Sequence, residues 1–216
     1  MAHGPLTRRL VLRSALATAG LTAGLPRPAH AQAGLRPTAA QTQGPYYPSK
    51  IPADADNDLI RVAGRDGLAA GIPVQVSGRV LDTAGRPVPG ALVEIWQCDA
   101  GGRYHHVSDD GGSVPRDPNF QGYGRTRTDV EGAYLFRTLR PAPYPGRAPH
   151  IHFAVRAPGL KRLVTQMYVE GEPANGSDGV LNGVRDPLAR AALVVPLRPA
   201  TAGLAGRFDI VLAAVS

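Results

Sequence analysis

From Val74 onward apolar and polar positions alternate, Val74-Gln-Val76-Ser-Gly78-Arg-Val80, with the period of two that a half-buried strand imposes. Asp82-Thr-Ala-Gly85 turns this strand, and Pro87-Val-Pro89-Gly90 keeps the connection irregular. Ala91-Leu-Val-Glu-Ile-Trp-Gln97 predicts the next strand, with Val93 and Ile95 on one face and Trp96 on the other. Strand character returns at Gly124–Thr128, at Ala133–Arg137, in the apolar run entered at His150, and at Leu163–Val169, Ala192–Val195 and Arg207–Leu212. The pattern predicts seven or eight strands and no long helix, with room for one short helical turn over Asp186–Ala192. A strand, a D-x-x-G turn, P-V-x-G-A and a second strand recur in β-sandwich modules generally. The expected fold class is therefore all-β, an antiparallel β-sandwich core with long loops, and with no internal repeat.

The aperiodic segments are informative in a different way. Residues 32–43 read as a polar arm, followed by the rigid, extended Gly44-Pro45-Tyr46-Tyr47-Pro48. Its two rings either anchor the arm by packing or line the edge of a pocket, and the sequence leaves both readings open. Asp54-Ala-Asp56-Asn-Asp58 invites a calcium loop, which would need glycine at the sixth position and a bidentate glutamate at the twelfth. Those places hold Leu59 and Arg65, so the segment is an ordinary loop. Asp99–Phe120 is a long loop without periodicity, of the kind that usually carries function when it occurs inside a compact domain.

Composition fits the same picture. Glycine at 26 and proline at 21 make up more than a fifth of the 216 residues, a density that suits a loop-rich β fold. The length is enough for one well-packed domain. The N-terminus reads differently: Thr7-Arg8-Arg9-Leu10-Val11-Leu12 places a twin arginine before a mildly apolar stretch, and Ala29-His30-Ala31 supplies a small-x-small cleavage pattern before Gln32. This resembles a twin-arginine export signal, and it implies a periplasmic or extracellular destination. The apolar stretch falls short of the about 20 residues a spanning helix needs, so no membrane insertion is expected after cleavage. The expected organisation is a signal over 1–31, an N-terminal arm over 32–72 and a β-sandwich domain over 73–216. Removing Arg8, Arg9, Arg13 and Arg27 takes the formal charge from +7 to +3, which argues against a nucleic-acid partner. Cys98 is the only cysteine, which excludes an intrachain disulfide.

The candidate chemistry lies between Arg137 and Val155, where Tyr144, Arg147, His150 and His152 fall within nine residues. His150 and His152 share one face of a strand, about 6.5–7 Å apart at Cα, and can converge on one metal ion. A phenol has an ordinary pKa near 10, so tyrosine ligation at neutral pH calls for a strongly Lewis-acidic, oxygen-preferring ion, and Fe(III) suits that better than Zn(II). A ferrous facial triad would add a carboxylate to the two histidines. A cupin would place an acid a few residues after H-x-H, where Arg156 stands and the next acid is Glu170, which counts against a cupin.

Glu94-Ile-Trp-Gln97, Gly102-Arg-Tyr104, Asp117-Pro-Asn-Phe120, Gly124-Arg-Thr126, Tyr134, Phe136-Arg137-Thr138, Pro143-Tyr-Pro145, Arg147, His150-Ile-His152 and Thr165-Gln-Met-Tyr168 together resemble the intradiol ring-cleavage dioxygenases, nearest the protocatechuate 3,4-dioxygenase branch, over residues 42–212. The resemblance implies a mononuclear, non-haem Fe(III) held by Tyr104, Tyr144, His150 and His152, with Tyr144 and His152 axial. It implies that Arg147 stabilises the bound catecholate, that Gln166 packs near that arginine, and that Tyr144 is displaced by substrate and takes its proton. The implied partners are a small aromatic diol and O2, with both oxygen atoms entering a cis,cis-muconate and no organic cofactor. The family commonly oligomerises, so a homo-oligomer stands open, as does the identity of the catechol. Two departures concern the pocket: Gly146 stands where that branch usually has a bulky aromatic, and Arg147-Ala-Pro-His150 inverts the usual Arg-Pro-Ala-His order. His105 and His106 are expected outside the ligand set. Other classes remain beside this reading: a sandwich binding module without turnover, or zinc or copper at the histidine pair.

Overall fold

The computed structural model describes Met1, residues 34–110 and residues 113–215. The twin-arginine segment, its cleavage pattern and Gln32 lie outside the described residues. The described chain forms β1 (Pro73–Asp82), β2 (Leu92–Trp96), β3 (Tyr123–Arg127), β4 (Ala133–Leu139), β5 (His150–Arg156) and β6 (Leu163–Val169). A 3-10 turn (Pro173–Gly176), α1 (Gly179–Asn182), α2 (Pro187–Ala191), β7 (Val194–Val195), β8 (Arg198–Ala200), β9 (Gly203–Arg207) and β10 (Ile210–Leu212) follow.

Two sheets result. In the first, β1 pairs antiparallel with β4 and parallel with both β9 and β10, and β8 flanks β9. The second runs β3-β2-β5-β6-β7. The expected sandwich is present, and its sheets are mixed: the chain reaches β9 and β10 by a long connection, which permits parallel pairing where a hairpin would not. Val74, Val76, Tyr134 and Phe136 of the first sheet share one buried core with Val93, Ile95, Ile151, Phe153, Val155 and Met167 of the second. Each such side chain gains about 1.5–3 kcal/mol from full burial, so the core is what holds the two layers together.

The second sheet is buried on its other face as well. There Trp96, Tyr104, Tyr123 and Ala154 form a smaller cluster, covered by Tyr46, Tyr47, Ile51 and Tyr144. The arm thus packs over the sheet, and it also feeds the main core: Leu59 and Ile60 are fully buried, and residues 57–59 hydrogen-bond to the backbone of Arg137. Two-sided burial explains why β5 carries an almost unbroken run of buried residues.

Three elements differ from the expectation. The strand expected over Arg207–Leu212 is two, β9 and β10, because Phe208 turns into the core against Phe153, ring centroids 5.1 Å apart, while its N–H donates to Ser77 O. The strand expected over Ala192–Val195 is reduced to Val194–Val195, since Ala192 closes α2. β8 is exposed throughout and carries Pro199, so no alternation announced it. The turn expected over Asp186–Ala192 is α2, with the Asp186 carboxylate accepting from Leu188 and Ala189 N–H.

The crossing at Phe208 yields a stability prediction. A Cβ on Gly78 would sit 2.0 Å from the Phe208 carbonyl oxygen, a backbone atom that no rotamer change can move. Gly78→Ala is expected to cost about 3 kcal/mol or more. Urea unfolding monitored by Trp96 fluorescence would measure it, and an unchanged midpoint would refute the crossing.

Candidate metal centre

Alternation along β5 divides its side chains between two environments. Ile151, Phe153 and Val155 enter the main core, and His150 and His152 face the other way, both almost fully buried. Their Nε2 atoms approach to 3.2 Å. His150 Nδ1 lies 2.6 Å from the Ala148 carbonyl, which can only accept, so Nδ1 carries the proton and Nε2 presents its lone pair. The His152 ring stacks on Trp96, centroids 4.7 Å apart and planes 8° from parallel. Gly44 approaches the edge of the ring, where a Cβ would sit 3.4 Å from His152 Cε1. Trp96 holds the ring by its face and Gly44 lies at its edge.

The two tyrosines reach the histidines from different loops. Tyr104 OH is 3.4 Å from His150 Nε2, and the Tyr104 and Tyr144 rings meet edge to face at 5.7 Å. Tyr104 comes from the long loop, and its position is set by buried carboxylates. Asp99 accepts from the N–H groups of Gly101, Arg103 and Asp117, and Asp109 accepts from Tyr104 N and pairs with the Arg103 guanidinium at 3.3 Å. Both partners of that pair are buried, so removing one leaves an uncompensated charge. Tyr144 instead sits on the turn closed by Arg147 N–H to Tyr144 O, and it is partly exposed.

Two imidazole nitrogens and the Tyr104 phenol oxygen therefore converge, and the Tyr144 ring lies beside them, its centroid 5.5 Å from that of His150. Metal–donor bonds near 2.0–2.2 Å place adjacent ligand atoms on the order of 3 Å apart, which the 3.2 and 3.4 Å separations satisfy. Electrostatics agree. Burial, aided by the Arg147 charge, pushes His150 down to about 4, and burial with His150 and Arg147 holds His152 well below the usual range, so both rings are neutral as ligands must be. Burial raises the Tyr104 phenol well above 10, and Tyr144 adds to it; burial likewise raises Tyr144, against the opposing Arg147 charge. Only a strongly Lewis-acidic ion would take protons from such phenols. Among the described residues no three His, Cys, Asp or Glu side chains gather at metal-holding distance, and the side-chain oxygen nearest the histidine pair is the Tyr104 phenol. The donor set fits ferric iron.

Arg147 and Gln166 are in contact beside Tyr144, and the residue that organises them was not foreseen. Arg147 Nε donates to Asp178 at 2.9 Å, Nη2 to Gln166 Oε1, and Nη1 reaches Tyr144 OH at 3.4 Å. Asp178 also accepts from Ala148, Val180 and Leu181 N–H, capping α1 and tying it to the Arg147 turn. Gln166 Oε1 accepts from Tyr168 OH as well, and its Nε2 donates to Thr42 O. The one sequence signal for Asp178 was its position just before a short apolar run, an N-cap pattern masked by the surrounding Gly and Asn.

The remaining candidates sort cleanly. Tyr46 stacks on Tyr104 at 4.4 Å, whereas Tyr47 packs edge-on against Trp96 and donates to Glu94. Both readings of that dipeptide thus hold, one for each ring. His105 packs on Phe120, and His106 Nδ1 accepts from Ser108 N–H, both apart from the donor set. Cys98 is buried, and burial pushes its thiol up to about 12, which makes it an inert packing residue.

Comparison with known proteins agrees with this arrangement. A family profile described as "Dioxygenase" matches residues 42–214. The protocatechuate 3,4-dioxygenase beta chain of Burkholderia cepacia is 41% identical over 180 residues, covering 78% of this chain and 76% of that one. The hydroxyquinol 1,2-dioxygenase of Nocardioides simplex is 33% identical, covering 94% of this chain and 73% of that one. Among solved structures, the dioxygenase domain of a carbohydrate-binding fusion protein from Streptomyces sp. SirexAA-E superimposes with a TM-score of 0.63 at 33% identity, covering 83% of this chain and 100% of that one. Hydroxyquinol 1,2-dioxygenase from Pseudomonas putida DLL-E4 gives 0.64 at 27%, covering 86% and 69%. With that profile matched over residues 42–214 and these relatives covered over most of their length, this chain belongs to the intradiol ring-cleavage dioxygenase family.

Proposed function

We propose that this dioxygenase binds one non-haem ferric ion through Tyr104, Tyr144, His150 and His152 and cleaves a catechol-type ring between its two hydroxylated carbons. The convergence of those four side chains beside Arg147 carries the reading. When bound, the ion supplies Lewis acidity that draws in the catechol oxygens and leaves the ring electron-rich enough to react with O2. The chain's own residues do the rest.

The two tyrosines have unequal parts. Tyr104 is 3% exposed, held under Tyr46 and fixed by the Asp109 loop, and serves as a permanent donor. Tyr144 stands partly exposed on its turn, and its oxygen can swing away and accept a proton from an arriving catechol hydroxyl. The Arg147 Nη1 contact then passes from the Tyr144 oxygen to the substrate, where a fixed positive charge stabilises electron density moving from ring to oxygen. Trp96 and the covering arm keep bulk water from the histidines. Both atoms of O2 enter the product, so catechol and O2 together supply every atom of the muconic acid with no outside reductant. A binding module without turnover is disfavoured by the complete donor set and the engaged arginine.

Iron-loaded protein supplied with catechol and 18O2 should form cis,cis-muconate carrying both labelled atoms, one per O2 consumed. A product cut outside the diol, or with one label, would refute intradiol chemistry. We further propose export by the twin-arginine route, on Arg8-Arg9 and the Ala29-His30-Ala31 pattern. Changing Arg8 and Arg9 together to lysine should retain the full-length protein in the cytoplasmic fraction, and unchanged export would contradict this.

A further inference from the structure

A cavity of about 540 Å3 adjoins the centre, lined by both ligand tyrosines together with Tyr46, Arg103, Asp109 and Asp110. The histidine side is closed by Trp96 and the arm. A catechol that displaces Tyr144 and directs its two oxygens at the centre must therefore point its far ring positions into this space. Gly146 leaves the neighbouring turn open, with nothing within 4 Å of where its Cβ would be.

We propose that this cavity selects catechols with uncharged or ammonium-bearing ring substituents and disfavours ring carboxylates, with Asp110 as the discriminating residue. The proposal rests on the ring-cleavage reading above. Charge along the wall carries it. Arg103 is the only cation lining the cavity among the described residues, and its charge is paired: Nε donates to the Asp109 carboxylate, Nη2 to the Asp109 carbonyl and Nη1 to the Val114 carbonyl. Arg116 spends its guanidinium on the His106 and Asp109 carbonyls and does not line the space. Lys50 lines a separate, smaller cleft of about 40 Å3 and not this cavity. Arg147 is turned to Asp178, Gln166 and Tyr144. Asp110 is exposed and lines the cavity, and it has no hydrogen bond or ion pair among the described residues, so among those residues its carboxylate is the uncompensated charge on the wall. A carboxylate-bearing ring would meet a like charge with no unpaired cation among the described lining residues to offset its desolvation. This separates the chain from its 41%-identical relative, whose name specifies a carboxylated catechol.

The test compares catechol, 4-methylcatechol, 4-(2-aminoethyl)catechol and 3,4-dihydroxybenzoate on the iron-loaded protein. Dissociation constants come from anaerobic calorimetry and kcat/KM from oxygen uptake. Expected is at least about 10-fold weaker binding of the benzoate than of 4-methylcatechol, a gap that narrows as salt shortens the Debye length. Asp110→Asn should raise the benzoate-to-methylcatechol ratio about 3-fold or more, and Asp110→Lys should raise it further. Benzoate binding equal to or tighter than methylcatechol, or a ratio unmoved in both variants, overturns the proposal. Should the binding order hold while no ring is cleaved, the ring-cleavage reading fails and the charge selection stands.

Discussion

Replacing His152 with alanine is expected to strip the protein of iron, weakening metal affinity by well over 10²-fold and taking ring cleavage to background. Changes to groups that only support a ligand cost about 10–100-fold, and this one removes the ligand itself. The fold should survive, because the backbone of β5 is held between β2 and β6 and the core-facing Ile151, Phe153 and Val155 are untouched. The lost ring leaves a void between Trp96 and Gly44, so a modest drop in melting temperature should accompany the loss of iron. Iron content after dialysis, measured with the far-ultraviolet circular dichroism spectrum, distinguishes a lost ligand from an unfolded chain. Retention of one iron per chain in His152→Ala would exclude this histidine from the ligand set.

The second large effect concerns Arg147. Arg147→Gln should lower kcat/KM about 10²–10³-fold while iron remains bound, since its charge acts on the reacting substrate and not on the ion. Asp178→Asn tests the device that aims it. The exchange keeps the shape but removes the partner of a guanidinium whose side chain is 16% exposed, and breaking such a pair costs up to about 3–5 kcal/mol. The pH dependence follows from the carboxyl itself. Burial would raise Asp178, but the N–H groups of Leu181 and Ala148 and the Arg147 charge outweigh it and hold the folded-state value below the ordinary range. Its contribution is therefore complete above the unfolded value of about 4 and is lost as pH falls through the lower folded value. Melting curves from pH 7 down to 3 should show an acid limb for the parent that is shallower in Asp178→Asn. Equal limbs in both would remove Asp178 from the account of stability.

The strand alternation and the H-x-H spacing were legible because they depend on a period of two and little else. Val93, Ile95 and Trp96 divide between faces as their order predicts, and His150 and His152 share a face for the same reason. Tertiary choices were not legible. Phe208 is the second residue of Arg207-Phe-Asp-Ile-Val-Leu212, a segment that reads as one strand, yet it breaks the strand by entering the core beside Gly78. Leu59 and Ile60 follow an acidic loop with no alternation, and only the groove beside β4 explains their burial. Asp178 meets Arg147 across 31 residues of sequence, a pairing that no local spacing encodes. Asp99 and Asp109 order the Tyr104 loop through backbone N–H groups, which every sequence possesses and none displays.

Tyrosine ligation is tested most directly by visible absorption of the iron-loaded protein, recorded without oxygen before and after catechol is added. A broad band from phenolate-to-iron charge transfer is expected, moving to longer wavelength as catechol takes the place of Tyr144, with Tyr104→Phe weakening the band at the outset. A colourless protein that nonetheless holds one iron per chain would contradict ligation by Tyr104 and Tyr144.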